Sequence, residues 1–270
     1  MQAVAVPSGL VRYRCRGEGP DLVLLHGLLG SSAQWEPAMA LLSPGHRCWA
    51  LELPGIGAST RPRDLSLAGM AVWLEQACRA LPLAGGFALI GSSWGGAVAL
   101  EFAARSEMAP RLRRLVLVAP AHPFWRPTPM QRFMLRWLPA RIGACLGAHV
   151  PQRVQRALLE RIYGDPARLA TSSVTEYGAI LRQPRLGSAV AGCARHFRAD
   201  RRRLAAALTN LQVPTLLVWG DRDPVVPIAS AAALRAALPE ARWQLMPGVG
   251  HLPFAEDPEA FTAAVLPFLQ

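Results

Sequence analysis

The stretch Phe87-Ala88-Leu89-Ile90-Gly91-Ser92-Ser93-Trp94-Gly95-Gly96 decides the fold. Its first four residues are apolar and predict a buried strand, and the small and apolar residues at 97–104 predict a helix packed closely on a sheet. The pattern Gly-x-Ser-x-Gly lies at the turn between them. Such a sharp turn brings neighbouring backbone too close to admit side chains at positions 91 and 95. We therefore predict a strand, a tight turn at Ser93 and a helix.

The same alternation recurs along the chain. Further apolar strands are predicted at 22–25, 47–53, 115–118, 215–219 and 242–246, and helical patterns at about 31–42, 66–81, 228–238 and 258–269. This alternation predicts an α/β fold with a mostly parallel central sheet and helices on both faces. Ligands of such sheets bind beyond the carboxyl ends of the strands. The polar residues that follow predicted strands are therefore candidates for a site: His26, Ser93, Asp223 and His251.

The alternation stops between His122 and Arg203. We predict that residues 1–121 and 204–270 form the α/β core and that residues 122–203 form an inserted helical cap. The cap holds 15 arginines and 4 acidic residues, whereas the remainder holds 14 of each sign, so the cap carries the whole net charge of +11. Three interpretations stay open: a solvated arginine face, attraction to an anionic lipid surface, or docking of an acidic carrier protein. No recognition motif accompanies the charge, which argues against a nucleic-acid partner.

Composition places further limits on the protein. No run reaches the roughly 18 apolar residues of a membrane span, and residues 1–7 do not resemble an export signal. Five scattered cysteines without a Cys-x-x-Cys pair favour a reducing compartment over a disulfide framework or a zinc site; they are Cys15, Cys48, Cys78, Cys145 and Cys193. We therefore expect a cytoplasmic protein without a transmembrane segment, and no motif implies a metal or an organic cofactor.

A serine hydroxyl is a weak nucleophile near neutral pH and needs a base and a group that orients the base. His251 lies in a glycine-flanked loop, Gly248-Val249-Gly250-His251-Leu252-Pro253, between the last predicted strand and the last helix. Asp223 follows the strand at 215–219, and Asp221 is its rival because it lies two residues away. We predict that Ser93, Asp223 and His251 are the catalytic residues, in the order serine, acid, histidine.

With these motifs, the chain resembles the α/β-hydrolase family over essentially its whole length. The matching motifs are the oxyanion loop at 26–30 (His-Gly-Leu-Leu-Gly), the nucleophile turn at 91–96, the acid loop at 220–227 and the histidine loop at 250–253. The resemblance implies an oxyanion hole made by the backbone N–H groups of Leu28 and Trp94. The family's spacing between the acid and a following proline, here Pro227, selects Asp223 over Asp221. Glu52 departs from the pattern, since relatives usually carry Asp there, and we assign it to a structural turn.

The resemblance also implies a reaction. Epoxide hydrolases and haloalkane dehalogenases of this fold carry Asp at the nucleophile position, so Ser93 favours acyl transfer to serine followed by hydrolysis. We predict a carboxylesterase that cleaves small-molecule esters with apolar acyl groups. The alternatives are carbon–carbon bond hydrolysis of ring-cleavage products, lipase or polyester depolymerase action, an aminopeptidase, and a non-catalytic binding module. A further alternative is hydrolysis of pimeloyl carrier-protein methyl esters, because the chain is similar to that family branch, whose cap is likewise basic.

The substrate pocket is predicted to lie between the sheet edge and the cap. Its predicted residues are His26, Gly27, Leu29, Trp35, Phe124, Trp125, Phe133, Trp137 and Leu252. Aromatic residues of a small cap can equally form the cap's own hydrophobic core. Both interpretations of the cap aromatics stay open at this point.

Overall fold

Eight strands form one sheet in the structure, a computed structural model that describes residues 1–129, 150–183 and 186–270. The strands are β1 (Gln2–Val6), β2 (Gly9–Arg16), β3 (Asp21–Leu25), β4 (Arg47–Leu51), β5 (Phe87–Ser92), β6 (Leu112–Val118), β7 (Thr215–Gly220) and β8 (Arg242–Met246). Their order across the sheet is β1-β2-β4-β3-β5-β6-β7-β8. The pairs β1–β2 and β2–β4 are antiparallel, and every other pair is parallel. The predicted mostly parallel sheet is confirmed, and the antiparallel hairpin at its edge was not predicted.

Helices cover both faces of this sheet, as predicted. Those within the described residues are α1 (Glu36–Leu42), α2 (Leu67–Ala80), α3 (Trp94–Arg105), α4 (Gln152–Glu160), α5 (Thr171–Leu181), α6 (Leu186–Ala207), α7 (Ala231–Ala237), α8 (Pro253–Glu256) and α9 (Pro258–Leu269). One core cluster joins a face of the sheet to α2, α3 and α6, and a second joins the other face to α1 and α9. Every residue of β3 and of β5 is buried, which explains why these strands are continuous apolar runs rather than alternating ones.

One face of helix α6 packs into the core of the molecule. Its side chains Val190, Cys193, Phe197 and Leu204 lie in the first core cluster. Its buried Asp200 accepts a hydrogen bond of 2.9 Å from the backbone N–H of Leu67, at the start of α2. The predicted boundary between residues 203 and 204 falls inside this helix, and the division into core and cap stays a prediction.

Two predictions from composition bear on the described residues. Four of the five cysteines are free thiols, and Cys145 lies outside the described residues. Among the helices that the structure describes, none combines the length and the apolar character that crossing a bilayer requires.

Candidate active site

The turn between β5 and α3 holds Ser93 in a strained backbone conformation. Ser93 has a φ of 53° and a ψ of −116°, a region that costs on the order of 1–3 kcal/mol for a residue other than glycine. Three backbone hydrogen bonds hold it there: its N–H donates to the carbonyl of Val118 (2.9 Å), and its carbonyl accepts from Ala121 (2.8 Å) and Ala97 (3.2 Å). A Cβ at Gly91 or Gly95 would overlap backbone atoms, in agreement with the sequence prediction. Ser93 is partly exposed, although both neighbours are buried.

Backbone strain is concentrated at one edge of the sheet. Within the described residues, three residues other than glycine have a positive φ: Leu29 (59°), Ser93 (53°) and Ala119 (40°). They follow the neighbouring strands β3, β5 and β6, respectively. Strain of this kind clusters at functional sites, and ligands of parallel sheets bind at this edge. Both arguments make the surroundings of Ser93 the candidate site.

Asp223 and His251 form a buried, hydrogen-bonded pair beside this edge. Oδ2 of Asp223 lies 2.7 Å from Nδ1 of His251, and both residues are buried. The other carboxylate oxygen, Oδ1, accepts hydrogen bonds from the N–H groups of Val225 (2.7 Å) and Val226 (3.0 Å). Asp221 instead accepts the N–H of Gly248 at 2.7 Å. Of the two candidate acids, Asp223 is therefore the one that contacts His251.

The remaining ring nitrogen of His251 is available for chemistry. Within the described residues, Nε2 of His251 has no hydrogen-bond partner, and no hydrogen bond joins His251 to Ser93. Catalytic hydrogen bonds in unliganded enzymes are often long and shorten only when substrate binds. A carboxylate accepts hydrogen bonds, so Nδ1 of His251 carries the ring proton and donates it to Asp223. Nε2 is then unprotonated and can act as a base.

The N–H groups of Leu28 and Trp94 have no acceptor among the described residues. Neither the N–H of Leu28 nor that of Trp94 donates a hydrogen bond within the part of the chain that the structure describes. Trp94 is the first residue of α3, so its N–H has no partner inside the helix. Leu28 follows Gly27, at which a Cβ would lie only 2.8 Å from Cβ of Ser93. These are the two donors that the sequence resemblance assigned to an oxyanion hole.

His26 supports the loop that carries Leu28. Its side chain is fully buried. Nδ1 lies 2.8 Å from the carbonyl of Gly27, and Nε2 accepts the N–H of Leu53 at 2.9 Å, so Nδ1 carries the proton. Burial lowers the pKa of His26, which keeps the ring neutral. His26 was predicted to line the substrate pocket. The structure corrects this, because the ring is closed to solvent and both nitrogens bind backbone.

Glu52 has a larger role than the predicted structural turn. Its buried carboxylate accepts hydrogen bonds from the N–H of Ser32 (2.8 Å), from the Ser32 hydroxyl and from the N–H of Ala58 (3.0 Å). One oxygen lies 3.9 Å from Nε2 of His26. Glu52 therefore joins the segment that follows β3, which contains Ser32, to the segment that follows β4, which contains Ala58.

Two of the aromatic residues predicted for the pocket lie in the core. Trp35 is fully buried and stacks on Phe254 with ring centroids 3.7 Å apart, so its assignment to the pocket is corrected. Trp125 is 8% exposed and packs against Phe197, as expected for a core aromatic. Gly27 is buried, Leu29 is partly exposed and Phe124 is 37% exposed. Phe133 and Trp137 lie outside the described residues.

A cavity of about 90 Å³ lies beside the histidine loop. Leu252, the last predicted pocket residue, lines it together with residues of α1, α4 and α5 and of the segments next to them. Tyr163 and Glu176 also line it, and burial raises the pKa of both. The cavity therefore lies between segments of the core and segments of the predicted cap. Leu252, the residue after His251, forms part of its wall. Within the described residues, no group of three or more His, Cys, Asp or Glu side chains could hold a metal ion.

Sequence patterns did not point to Glu256, Ser32 or His122. Glu256 and Ser32 are buried and bind backbone or side-chain groups far away in sequence. His122 is fully buried at the end of β6, with Nε2 3.0 Å from the Ser230 hydroxyl. The one available signal is their position: Ser32 and His122 follow predicted strands, and Glu256 lies three residues after the histidine loop.

Comparisons with known proteins agree with this fold. A sequence profile of the alpha/beta hydrolase fold matches residues 20–258. The pimeloyl-[acyl-carrier protein] methyl ester esterase of Nitrosomonas europaea is 30% identical over 253 residues, which are 94% of this chain and 97% of that protein. The protein of the same name from Vibrio campbellii is 29% identical over 259 residues, 96% of this chain and 98% of that protein. A thermophilic esterase from Thermogutta terrifontis, at 24% identity, has the same fold, with a TM-score of 0.81 and coverage of 100% of this chain and 98% of that one.

Proposed function

Because this chain belongs to the α/β-hydrolase fold family, we propose that it hydrolyses carboxylic esters with Ser93 as nucleophile, His251 as general base and Asp223 as the group that orients His251. The main support is the 2.7 Å contact between Asp223 and Nδ1 of His251, which leaves Nε2 unbonded among the described residues. A scaffold without catalytic activity would gain nothing from a buried carboxylate–imidazole pair that follows strands of the same parallel sheet as a strained serine.

In the first half of the reaction, Oγ of Ser93 attacks the ester carbonyl carbon while its proton passes to Nε2 of His251. The negative charge that develops on the carbonyl oxygen is stabilised by the N–H groups of Leu28 and Trp94. The bond from the carbonyl carbon to the alcohol oxygen then breaks. His251 gives its proton to that oxygen, so that the alcohol leaves and an acyl-enzyme remains.

The second half repeats these steps with water. Water attacks the acyl carbon and gives a proton to His251, and the tetrahedral intermediate then collapses to the free acid. The proton returns from His251 to Oγ of Ser93, which restores the starting state. Asp223 keeps the proton of the neutral ring on Nδ1 and stabilises the imidazolium that forms in each half.

The test is hydrolysis of p-nitrophenyl butyrate by the wild type, Ser93→Ala and Ser92→Ala. Ser92 is a matched control, because its buried hydroxyl has no hydrogen-bond partner among the described residues and removing it costs little. Ser93→Ala should lose about five to six orders of magnitude in kcat, whereas Ser92→Ala should stay within a few-fold of the wild type. Equal and negligible turnover by Ser93→Ala and the wild type would overturn the proposal in favour of a binding module, and equal but substantial turnover would assign catalysis to another residue.

A second, finer candidate is hydrolysis of an ester whose acyl chain is attached to an acidic carrier protein. The relatives from Nitrosomonas europaea and Vibrio campbellii carry such a substrate in their names. The specific observation on this chain is a row of arginines, which we call the arginine ridge. It consists of Arg195, Arg198, Arg201 and Arg202 on α6, together with Arg126.

The arginine ridge carries uncompensated charge. Within the described residues, none of its five side chains forms an ion pair with an acidic residue; the acidic residue in that part of α6, Asp200, is buried and pairs with Arg203 instead. Burial lowers the pKa of Arg201, and the nearby charges of Arg126, Arg198 and Arg202 lower it further. Repulsion between neighbouring guanidinium groups is relieved when an acidic surface docks on them. An acidic carrier protein is therefore a complementary partner.

The carrier test compares a pimeloyl methyl ester on an acyl carrier protein with the same ester free of carrier. Reversing two ridge charges, in Arg198→Glu/Arg202→Glu, should lower kcat/KM for the carrier substrate by about tenfold or more and leave the free ester unchanged. Arg16→Glu reverses the charge of an exposed arginine of β2, outside the ridge, and should leave both values unchanged.

Salt should reproduce the effect of the charge reversal. Raising the salt from about 0.05 to 0.5 M should weaken only the reaction of the carrier substrate. Equal responses of the two esters would contradict carrier docking. Binding of the wild type to phosphatidylglycerol vesicles that is lost in the double variant would assign the ridge to an anionic lipid surface instead.

A further inference from the structure

Glu256 joins two distant segments of the chain at the histidine loop. This residue ends the short helix α8 and is 4% exposed. Its Oε2 accepts hydrogen bonds from the N–H groups of Gly250 (2.8 Å) and Gly164 (3.1 Å), and its Oε1 accepts the N–H of Asp165 (2.9 Å). One carboxylate therefore binds three backbone donors, one from the histidine loop and two from the segment that follows α4.

Direct contacts between these two segments surround the carboxylate. The backbone N–H of His251 donates to the carbonyl of Ile162 at 2.8 Å. A Cβ at Gly164 would lie 2.5 Å from the carbonyl oxygen of Gly248 and 2.7 Å from the nitrogen of Gly250. A side chain at position 164 would therefore push residues 162–165 and the histidine loop apart. The close approach also sets where the backbone of His251 lies.

The acid loop is fastened to the same segment. The guanidinium of Arg222, the residue before Asp223, donates to the carbonyl of Gly164 at 3.2 Å, and the backbone N–H of Arg222 donates to the carbonyl of Val249 at 3.0 Å. Residues 162–165 thus contact the loops of both members of the Asp223–His251 pair. Residue 164 lies in the predicted cap, so this part of the cap forms one side of the proposed catalytic pair.

We propose that Glu256 is a positioning residue, which holds His251 in register with Ser93 by fastening residues 162–165 to the histidine loop. This rests on the proposed function, in which His251 is the general base. Glu256 contacts neither His251's ring nor Ser93 through any hydrogen bond among the described residues. It acts through the backbone of Gly250, one residue before His251. Small misplacements of a catalytic group reduce the rate strongly, and about 1 Å can cost about a hundredfold.

The chemistry of the three donors requires a carboxylate at this position. A carboxylate is acceptor-only and offers both oxygens to N–H groups, whereas an amide offers one oxygen and one NH₂ donor. In Glu256→Gln, the amide oxygen can accept from Gly250 and Gly164, but the NH₂ group then faces the N–H of Asp165. The variant keeps the volume and loses part of the contact. Glu256→Ala loses all of it.

The experiment measures kcat and KM for p-nitrophenyl butyrate, the rate of covalent inactivation by a serine-directed phosphonate, and the thermal midpoint. The variants are Glu256→Gln and Glu256→Ala, with Glu259→Ala as the control, because Glu259 is an exposed acid of the neighbouring helix α9. Kinetics are measured where circular dichroism shows each variant to be folded. Gly164→Ala perturbs the opposite side of the contact and serves as an independent variant.

The expected result is a graded loss. Glu256→Ala should reduce kcat and the inactivation rate by about tenfold to a hundredfold, Glu256→Gln by less, and KM should change little in either. Gly164→Ala should reproduce the loss in kcat, and Glu259→Ala should match the wild type. If Glu256→Ala does not fold, the results for Glu256→Gln and Gly164→Ala test the proposal.

A purely structural role would give a different result. Variants that melt at lower temperature but keep the wild-type kcat and inactivation rate while folded would overturn the proposal, as would an effect on KM alone. Failure of the proposed function is distinguishable, because Ser93→Ala would then keep its activity and no phosphonate adduct would form on the wild type.

Discussion

Two histidine-bearing loops lie at the same edge of the sheet and use the imidazole in opposite ways. In the loop after β3, both ring nitrogens of His26 bind backbone groups, of Gly27 and of Leu53. In the loop after β8, His251 binds the carboxylate of Asp223 through Nδ1, and its Nε2 has no partner among the described residues. Both rings are buried, so burial alone does not separate them.

The difference teaches that the atom left unbonded decides the role of a buried histidine. His26 has no free nitrogen and can only hold its loop in place. His251 keeps one nitrogen available and has a carboxylate to stabilise the charged form that proton transfer produces. The following experiments separate catalysis from support, and we expect the largest effects for the His251 loop.

Replacing His251 should abolish catalysis with little effect on folding. In His251→Gln, no base remains to take the proton of Ser93, so kcat/KM for p-nitrophenyl butyrate should fall by about five to six orders of magnitude. The free energy of unfolding, measured by urea titration, should change by no more than about 2 kcal/mol, the scale of one hydrogen bond to a charged group. Activity within about a hundredfold of the wild type would contradict the assignment.

Replacing the acid should cause the second-largest loss of activity. Asp223→Asn keeps the shape but favours the wrong tautomer of His251, because the amide NH₂ faces Nδ1. We expect kcat to fall by about 10⁴-fold. Asp221→Asn is the matched control, since Asp221 binds the N–H of Gly248 and not the imidazole, and it should remain within a few-fold of the wild type. The reverse order of effects would exchange the two assignments.

Replacing His26 should affect stability first. His26→Leu leaves the N–H of Leu53 without its acceptor in a buried site, which costs about 1–3 kcal/mol. It also removes one of the two donors to the carbonyl of Gly27, which still accepts the N–H of Gly30, and the loss of that hydrogen bond costs about 0.5–1.5 kcal/mol. We expect urea titration to give a loss of about 2–5 kcal/mol in the free energy of unfolding. The loss in kcat of the folded variant should be far smaller than for His251→Gln. A loss as large as that of His251→Gln would break the distinction between the two loops.

His122 provides a smaller, pH-dependent effect. Burial lowers its pKa to about 4 from the ordinary value of 6.5, so the unfolded chain binds a proton at higher pH than the folded one. The stability that this group contributes is therefore complete above about pH 6.5 and is lost as the pH falls toward 4. One pKa unit corresponds to about 1.4 kcal/mol.

The measurement compares urea titrations of the wild type and His122→Asn at pH 7 and pH 4.5. The wild type should lose about 2 kcal/mol more than the variant over this interval, because asparagine does not titrate. Burial also lowers the pKa of His26 and of His46, and both are present in each protein, so their contributions cancel in the comparison. Parallel losses in the two proteins would show that His122 does not contribute.

The sequence predicted local features of the site well. The glycines at 91 and 95 and the apolar residues before Ser93 specify the strained turn by their steric demands alone, and the structure has it at that position. The choice of Asp223 over Asp221 depended on spacing to a proline, and Asp223 does contact His251. These features depend on residues close together in the chain, or on strands whose ends meet at one edge.

Features that depend on distant contacts were missed. Glu256 binds Gly164 and Asp165, which lie 92 and 91 positions away, and no local pattern reports such a pairing. Trp35 was assigned to the pocket, below the predicted cap, yet it stacks on Phe254 in the core. In a short helical turn, the sequence does not show whether a side chain faces the core or a pocket when the segment that packs against it is unknown.

Covalent labelling tests the central claim most directly. The wild type, Ser93→Ala and His251→Gln are each incubated with a serine-directed phosphonate, and the adducts are located by peptide mass spectrometry. We expect one adduct per wild-type chain, on Ser93, no adduct on Ser93→Ala, and greatly slowed labelling of His251→Gln. A folded wild-type protein that forms no adduct on Ser93, or that is labelled equally fast without His251, would contradict the account.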